Sequence, residues 1–443
     1  MLLLLIFVEV ISNISLLAYH KTPSNDLKVQ IESAKLELDN AYLTAKEGFL
    51  LDKIADLESF HANNSHHEAL NVIKDFSDSG LNSSIQIKGG SSEERLENWL
   101  THFKNLLGKK ANLSSNYSLP LETVSNKLNI KTSAFSLQEI KTVIKSLNPR
   151  KAFGPDNIPS IIWKDQNFHS LLLKICNYCL ENKSCPSVWR KSQIIPIPKK
   201  GDFTLVSNYR GISLLPIAAK IYNKLLLNRL LPFIDPLLRK NQNGFRPGRS
   251  TISQILSLRR IIEEMSLSNR DLVLVFIDFS KAFDSVDRSM MFKILKLYGI
   301  PDEIIDAKKV LYTNTSAIVL SPDGETEPFN ILAGILQGDT LASFLFVIIV
   351  DYVLRVSVDK SQNKGIEIQP RRSSRYPAHH LTDTDFADDI ALISSAIKNA
   401  QSLLISLEQA ANSVGLHLNE KKTEYMNLSA DKTSEIKTLS VSG

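Results

Sequence analysis

The chain has 443 residues, enough for two or three domains of about 150 residues each. Hydrophobic residues make up 43% of it and charged residues 22%, which excludes a wholly disordered or collagen-like chain. The 52 basic and 47 acidic residues leave a net charge of +5, which permits a nucleic-acid partner without indicating one.

The first 19 residues are apolar but fit neither a secretion signal nor a membrane span. They lack the basic start and the small-residue cleavage site of a signal peptide. Glu9, Ser12 and Asn13 interrupt the apolar run, which makes it a poor membrane span. We interpret it as a packing helix or an arbitrary chain start and expect no stable membrane association.

Residues 1–134 are predicted to form a helical N-terminal extension and connector. Within 26–60, one apolar seam repeats every seven residues, at Val29, Leu36, Leu43, Leu50 and Leu57. The second apolar seam that a coiled coil requires is polar here, so no zipper is predicted. Residues 93–110 form a further helical patch within the connector.

The chain contains only three cysteines, Cys176, Cys179 and Cys185. An odd and sparse set excludes a disulfide framework and suits a reducing, intracellular compartment. A structural zinc site needs four ligands, and only His169 lies nearby, so we do not favour zinc. We predict instead that the cysteines act as small apolar residues of a helix in LLLKICNYCL.

From about residue 135 the chain consists of short motifs bounded by Pro or Gly. Residues 151–159 (KAFGPDNIP) are predicted to be a loop, because their Pro and Gly residues cannot continue a helix. Residues 194–202 (IIPIPKKGD) indicate a strand that ends in a basic turn. A helix is predicted after NYRGISLL (208–215), and NGFRPGRST (243–251) is a second basic loop that opens another helix.

The second half of this region alternates buried strands with helices. The nearly continuous apolar run that precedes Asp278 is typical of a strand buried on both faces. We predict a hairpin in 315–332 that turns at Asp323-Gly324. Residues 334–354 are predicted to be a tight loop that enters a buried helix. Residues 381–394 are apolar on both sides of an acidic centre, where two strands should meet, and a helix follows at 397–412.

Three carboxylates carry the strongest chemical signal. Asp278 ends a buried strand, where an unpaired carboxylate would cost several kcal/mol. Adjacent strand residues point to opposite faces, so a hairpin turn is the natural place to bring Asp388 and Asp389 to one site. Carboxylates with few His or Cys residues suit Mg²⁺, and two such ions about 3.5–4 Å apart are the usual machinery of nucleotidyl transfer.

The acidic segment has two alternative interpretations, a calcium loop and a solvated turn. A calcium loop starting at Asp383 fails, because its sixth residue is Asp388 where Gly is needed and its twelfth is Ser394 where Glu is needed. An isolated acidic pair is more often a solvated turn between strands. The surrounding motifs decide between the readings.

Those motifs, in order, resemble the reverse transcriptase of non-LTR (LINE-type) retrotransposons. The resemblance covers residues 140–430 and is carried by IPKKGD, NYRGISLL, NGFRPGRST, FIDFSKAFDSVD, GILQGDTLASFLF, FADD and GLHLNEKKT. It implies an α+β fold, the polymerase right hand, in which an antiparallel palm sheet is backed by helices. Fingers and palm would occupy 135–430, followed by a tail at 431–443.

The resemblance also implies a role for individual residues. The family's catalytic, metal-binding carboxylates fall on Asp278, Asp388 and Asp389, which would hold two Mg²⁺ ions, with Mn²⁺ as an alternative. The nucleotide-binding positions fall on Lys199, Lys200, Arg210, Phe283, Gln337, Gly338 and Lys422. For the lysine of the last motif, GLHLNEKKT, Lys421 is as good a candidate as Lys422. We expect Arg246 and Arg249 to contact nucleic acid.

Each of these roles has a physical basis. The ring of Phe283 would clash with a 2′-hydroxyl and so select deoxynucleotides. Gly338 lets the backbone approach the nucleotide and template closely. The lysine and arginine charges suit a triphosphate. The alternative for Phe283 is an ordinary core residue, and the alternative for each basic residue is a solvated surface charge.

The implied function is RNA-directed DNA synthesis from deoxynucleoside triphosphates on an RNA template and a DNA primer. Ser343 stands where the family often has Pro. We find no match to the thumb, to a C-terminal zinc knuckle or to an upstream endonuclease, so we expect a fragment of a larger polyprotein. The alternatives are a non-catalytic nucleic-acid-binding remnant and an RNA-templated RNA polymerase. An RNA polymerase should not carry a bulky aromatic side chain at the position of Phe283, where the sugar would be selected.

Overall fold

A computed structural model describes residues 87–110, 119–148, 152–199, 201–336, 338–428 and 439. These residues belong to one compact unit, Ile87–Gly443. The predictions for residues 1–19 and 26–60, and those for Lys200 and Gln337, lie outside the described residues.

The described chain is a mixture of helices and strands. Its α-helices are α1 (Ser92–Leu107), α2 (Leu137–Lys145), α3 (Ser160–Lys164), α4 (His169–Asn182), α5 (Ile217–Ile234), α6 (Thr251–Leu267), α7 (Ala282–Ser285), α8 (Arg288–Leu297), α9 (Asp302–Lys309), α10 (Ala342–Ser357) and α11 (Ile397–Asn412). Its strands are β1 (Lys191–Pro198), β2 (Tyr209–Leu214), β3 (Leu272–Ile277), β4 (Ser316–Ser321), β5 (Gly324–Glu325), β6 (Phe329–Asn330), β7 (Ile366–Gln369), β8 (His379–Leu381), β9 (Asp383–Phe386), β10 (Asp389–Ser394) and β11 (Glu424–Leu428). Short 3₁₀ turns lie at Gln166–Phe168, Ser187–Arg190, Val206–Asn208, Asp235–Leu237, Val310–Tyr312 and Asp359–Lys364.

The first sheet has the strand order β2-β1-β4-β5, with β6 also paired to β4. Strands β1 and β2 are antiparallel, whereas β1 and β4 are parallel. The predicted hairpin in 315–332 is present, but Ser321 pairs with Gly324, so Pro322 and Asp323 form its turn. The prediction placed this turn one residue too late.

Helix α1 packs directly on the first sheet. The ring of Trp99 meets that of Tyr209 edge to face at 4.8 Å between centroids. A Cβ at Gly211 would lie 2.5 Å from the ring of Phe103, so only Gly allows the helix to approach β2 this closely. Residues 92–107 are therefore part of the same unit as the sheet.

The second sheet is antiparallel throughout, in the order β11-β3-β10-β9. All six residues of β3 are buried, as predicted for a strand covered on both faces. Helix α11 packs against β3 and β10, and α10 packs against α11, so helices back the sheet. The antiparallel sheet with helical backing agrees with the predicted α+β fold.

Helices α4 and α10 were both predicted from apolar sequence, and both are present. Cys176 and Cys179 are buried in α4, where burial raises the pKa of the Cys179 thiol to about 12. Helix α10 is buried along nearly its whole length. Within the described ranges, no helix combines the length and the apolar character needed to cross a membrane.

Candidate active site

The acidic pair lies at a hairpin, as the sequence predicted. Asp389 at the start of β10 pairs with Phe386 at the end of β9, so Ala387 and Asp388 form a two-residue turn. Ala387 has a φ of 57°, in the left-handed region that non-glycine residues seldom adopt. The turn therefore needs support from its surroundings to keep this conformation.

Asp278 lies beside this hairpin because β3 and β10 are neighbours. Ile277 pairs with Ile390 in the antiparallel register, so one step further Asp278 faces Asp389. Directly opposed residues of antiparallel strands share a face and have Cα atoms about 4.5–5.5 Å apart. The sheet thus brings together carboxylates that are more than a hundred residues apart in sequence.

The electrostatics of the three carboxylates indicate a shortage of positive charge. Burial and the neighbouring charge of Asp388 raise the pKa of Asp389 to about 6. Burial raises the pKa of Asp388, and the charge of Asp278 adds to this. The Oδ2 atom of Asp278 is buried and accepts no hydrogen bond. An orphaned carboxylate oxygen beside two like charges is the chemistry that a divalent cation would satisfy.

The side chains do not yet form a closed ligand cage. Among the described residues, no three His, Cys, Asp or Glu side chains converge closely enough to hold a metal ion together. The backbone positions nevertheless place Asp278 and Asp389 on one face, with Asp388 at the adjoining turn. The donors fit a hard cation in type and neighbourhood, and side-chain rotation would have to complete the coordination.

Lys422, in the last motif, lies close to Asp278. The Nζ atom of Lys422 is 3.6 Å from Oδ2 of Asp278, an ion pair beyond hydrogen-bond distance. The backbone N–H of Asn419 donates to the Asp278 carbonyl at 2.8 Å, which fixes the turn that carries this lysine. The geometry therefore favours Lys422 over Lys421 as the lysine nearest the carboxylates.

The hairpin of β1 and β2 carries basic side chains toward the same region. Lys199 follows Pro198, and its backbone N–H donates to the Asn208 carbonyl at 2.7 Å, while Arg210 pairs with Ile197. The pKa of Lys199 is lowered by burial and then by the nearby charges of Arg210 and Lys422. Mutual repulsion among these cations favours an anionic ligand between them.

Phe283 lies in an aromatic cluster next to the turn after β3. Its ring stacks on that of Phe346 at 4.3 Å and meets that of Phe245 edge to face at 6.4 Å. Phe346 is fully buried, whereas Phe283 is only half-buried and keeps part of its surface free. Its position is compatible with both the predicted gate and a packing role.

Gly338 follows the loop that enters α10 and lies against β2. A Cβ there would lie 2.1 Å from the Ser213 carbonyl oxygen, and its φ is 107°, so only Gly fits without rearrangement. The contact joins the loop to the first sheet, on the strand that carries Arg210. Gly338 thus has a structural reason as well as its predicted place in nucleotide binding.

The two arginines of the NGFRPGRST loop differ. Arg246 is buried, and its guanidinium binds Asp235 at 2.7 Å and the carbonyls of Arg239 and Gln242. Its donors are used inside the protein, which favours a role in shaping the loop, and the predicted contact of Arg246 with nucleic acid stays a prediction. Arg249 is exposed and remains a candidate for phosphate contact.

The sequence reasoning missed the residues that support the hairpin. Arg239 is buried and binds Asp383 at 2.8 Å and Asp385 at 3.0 Å, both on β9 and fully buried. The charge of Arg239 holds the pKa of Asp383 below its usual value, whereas burial beside ionised Asp383 raises that of Asp385. Two acids spaced by two residues on a strand share one face, which could have predicted a common cation.

An antiparallel sheet with a carboxylate after one strand and an acidic hairpin on the next agrees with the polymerase palm that the sequence predicted. The family model described as reverse transcriptase (RNA-dependent DNA polymerase) matches residues 197–442, more than half of the chain. The chain belongs to this reverse transcriptase family, whose fold consists of a palm and fingers. By the resemblance, the second sheet would be the palm and the first sheet part of the fingers.

Three curated relatives illustrate its similarities. It is 28% identical over 325 residues to the RNA-directed DNA polymerase from mobile element jockey of Drosophila melanogaster, covering 71% of this chain and 34% of the relative. It is 28% identical over 299 residues to a probable RNA-directed DNA polymerase from transposon BS of the same species, covering 65% of this chain and 31% of the relative. It is 24% identical over 279 residues to the Pol polyprotein from the type-1 retrotransposable element R2 of Nasonia vitripennis, covering 63% and 26%. The chain spans about a third or less of these relatives.

Proposed function

We propose that this chain is the polymerase part of a non-LTR retrotransposon protein and copies RNA into DNA. It would extend a DNA primer with deoxynucleoside triphosphates on an RNA template. The observation that carries the proposal is the register of β3 and β10, whose last pair is Ile277 with Ile390, so that Asp278 and Asp389 follow directly and Asp388 lies at the adjoining turn. The names of the relatives jockey and BS point to the same activity.

The three carboxylates would hold two Mg²⁺ ions, or Mn²⁺ in their place. When bound, such ions supply Lewis acidity toward the primer 3′-oxygen and the triphosphate. Lys199 and Arg210 would orient the triphosphate by ionic contacts, because the charge of Arg210 acts on both Lys199 and Asp388. Lys422 would stabilise negative charge on the departing pyrophosphate.

Primer extension on an RNA template tests this proposal. The chain should add deoxynucleotides only when Mg²⁺ or Mn²⁺ is supplied, and should use ribonucleotides poorly. Absence of extension together with salt-sensitive binding of primer–template would instead identify a non-catalytic nucleic-acid-binding remnant. Preference for ribonucleotides would identify an RNA-templated RNA polymerase.

Replacing Phe283 by Val should relax the choice of sugar. The smaller side chain no longer meets a 2′-hydroxyl, so ribonucleotide use relative to deoxynucleotide should rise by roughly tenfold. The measurement is the ratio of kcat/KM for matched ribo- and deoxynucleotides. Phe346→Leu, which alters the buried partner of the stack, serves as the control for packing. Unchanged selectivity in an active Phe283→Val chain would assign Phe283 to core packing.

Replacing Lys422 by Ala should slow nucleotide addition, whereas replacing Lys421 should not. Lys422 lies 3.6 Å from Asp278, so its charge acts at the reacting centre. We expect kcat to fall by roughly tenfold or more in Lys422→Ala, through lost stabilisation of developing negative charge. The adjacent Lys421→Ala is a matched control for charge and exposure. Equal losses in both variants would contradict the assignment.

A further inference from the structure

The loop before α6 runs alongside the edge of the palm sheet. The backbone N–H of Asn243 donates to the Asp385 carbonyl at 2.9 Å, and the N–H of Asp385 donates to the Asn241 carbonyl at 3.1 Å. These bonds add residues 241–243 to the edge of β9. The loop therefore ends next to the turn that carries the acidic pair.

The side chain of Gln242 binds both polar groups of Ala387. Its Oε1 accepts from the N–H of Ala387 at 2.8 Å and from the N–H of Gly244 at 2.7 Å. Its Nε2 donates to the Ala387 carbonyl at 3.3 Å. Two N–H donors face one end of the amide and a carbonyl faces the other, so only one amide orientation satisfies all partners. Gln242 is fully buried, so no solvent competes for these bonds.

The contact is close as well as polar. A Cβ at Gly244 would lie 2.2 Å from the backbone nitrogen of Ala387, so the absence of a side chain there allows the loop to reach the turn. Ala387 is itself buried and holds a left-handed φ of 57°. A strained conformation persists only where the surroundings fix it, and here the Gln242 amide supplies two of the bonds that do so.

We propose that Gln242 is a positioning residue for the polymerase carboxylates. By fixing the peptide of Ala387, its amide sets the direction in which Asp388 and Asp389 leave the turn. It acts on the metal-binding side chains through the backbone and touches neither substrate nor metal. This inference rests on the proposed function, since it concerns the same carboxylates.

The test compares Gln242→Met with Gln254→Met. Gln254 is also buried, donates through Nε2 to Thr384 Oγ1 on β9 and accepts at Oε1 from Asn243 Nδ2 of the loop. Its loss therefore perturbs the same strand and the same loop while leaving the bonds between Gln242 and Ala387 in place. In Gln242→Met, kcat should fall by roughly tenfold to a hundredfold, since small misplacements of reacting groups have effects of this size. KM for the deoxynucleotide should change by less than about twofold, because the nucleotide contacts are intact.

A second readout does not depend on polymerisation. Mn²⁺ binding, followed by electron paramagnetic resonance, should weaken by roughly tenfold or more in Gln242→Met and stay near wild type in Gln254→Met. Equal Mn²⁺ affinity in all three proteins would overturn the inference, even if the wild type is an active polymerase. An inactive wild type whose Mn²⁺ binding still depends on Gln242 would sink only the proposed function.

Rescue separates positioning from packing. Gly adopts a positive φ readily, so Ala387→Gly in the Gln242→Met background should restore part of the lost kcat and Mn²⁺ affinity. Ala387→Gly in the Gln254→Met background should restore nothing. If Gln242→Met does not fold, Gln242→Asn carries the same test, because its shorter amide stays polar but does not reach Ala387. Failure of Ala387→Gly to rescue Gln242→Met, or Gln242→Asn where that variant is used, would contradict the mechanism.

Discussion

Asp388→Asn should abolish metal-dependent extension while leaving the fold intact. Asn keeps the shape of the side chain but loses the charge that a Mg²⁺ ligand requires. Metal catalysis supplies several kcal/mol of transition-state stabilisation, so a loss of roughly a thousandfold or more in kcat is expected. Single-turnover primer extension with saturating deoxynucleotide measures this effect directly.

The stability of Asp388→Asn in the absence of metal should not fall with its activity. Burial and Asp278 raise the pKa of Asp388, so the folded protein disfavours its ionised form. A group with a raised folded pKa loses its stabilising contribution as the pH rises through that value. Removing the charge should therefore leave the free energy of unfolding without metal unchanged or raised.

The control for this pair of measurements is Asp302→Asn. Asp302 forms an exposed ion pair with Lys296 at 3.0 Å on the surface, and exposed pairs contribute little. Its activity and stability should remain near those of the wild type. Retained extension in Asp388→Asn, or an equal loss in Asp302→Asn, would refute the assignment of the acidic hairpin.

Arg239→Met should have the largest effect on stability. The Arg239 side chain is 5% exposed and contacts Asp383 and Asp385, both of which are completely buried. Breaking a buried ion pair by removing one partner typically costs about 3–5 kcal/mol, because the remaining charge is left without compensation. For a domain of this size the melting temperature should fall by roughly 10 °C.

The compensating variant distinguishes electrostatics from packing. Converting Asp383 and Asp385 to Asn in the Arg239→Met background removes the buried negative charge and should restore a large part of the lost stability. Lowering the pH should also narrow the difference in stability between Arg239→Met and the wild type. Without Arg239, burial should raise the pKa values of both carboxylates, so that protonation at low pH removes the uncompensated charge. Arg260→Met, at a side chain 73% exposed, is the surface control. A gap that is independent of pH would show that lost packing dominates.

The sequence by itself determined the local structure of the palm and the identity of its carboxylates. The six apolar residues before Asp278 can only form a strand buried on both faces, and the structure shows that strand as β3. The acidic pair between two apolar runs similarly predicted a hairpin, and the pair lies at one. These features depend on short-range patterns of polarity, which are fully contained in the chain.

Only the tertiary structure decided how the loops serve the site. Arg246 and Arg249 are equivalent basic residues in sequence, but one is buried against Asp235 and the other is exposed. Gln242 carries no motif signal of its own, and its role depends on β9 lying beside its loop. The Gln242 contact joins segments 145 residues apart, whereas the partners of Arg246 lie within 11 residues of it, and in neither case does a pattern of polarity in the sequence specify the contact. The sequence therefore names the groups that can react, and the packing of the palm edge determines which of them are held, paired or free.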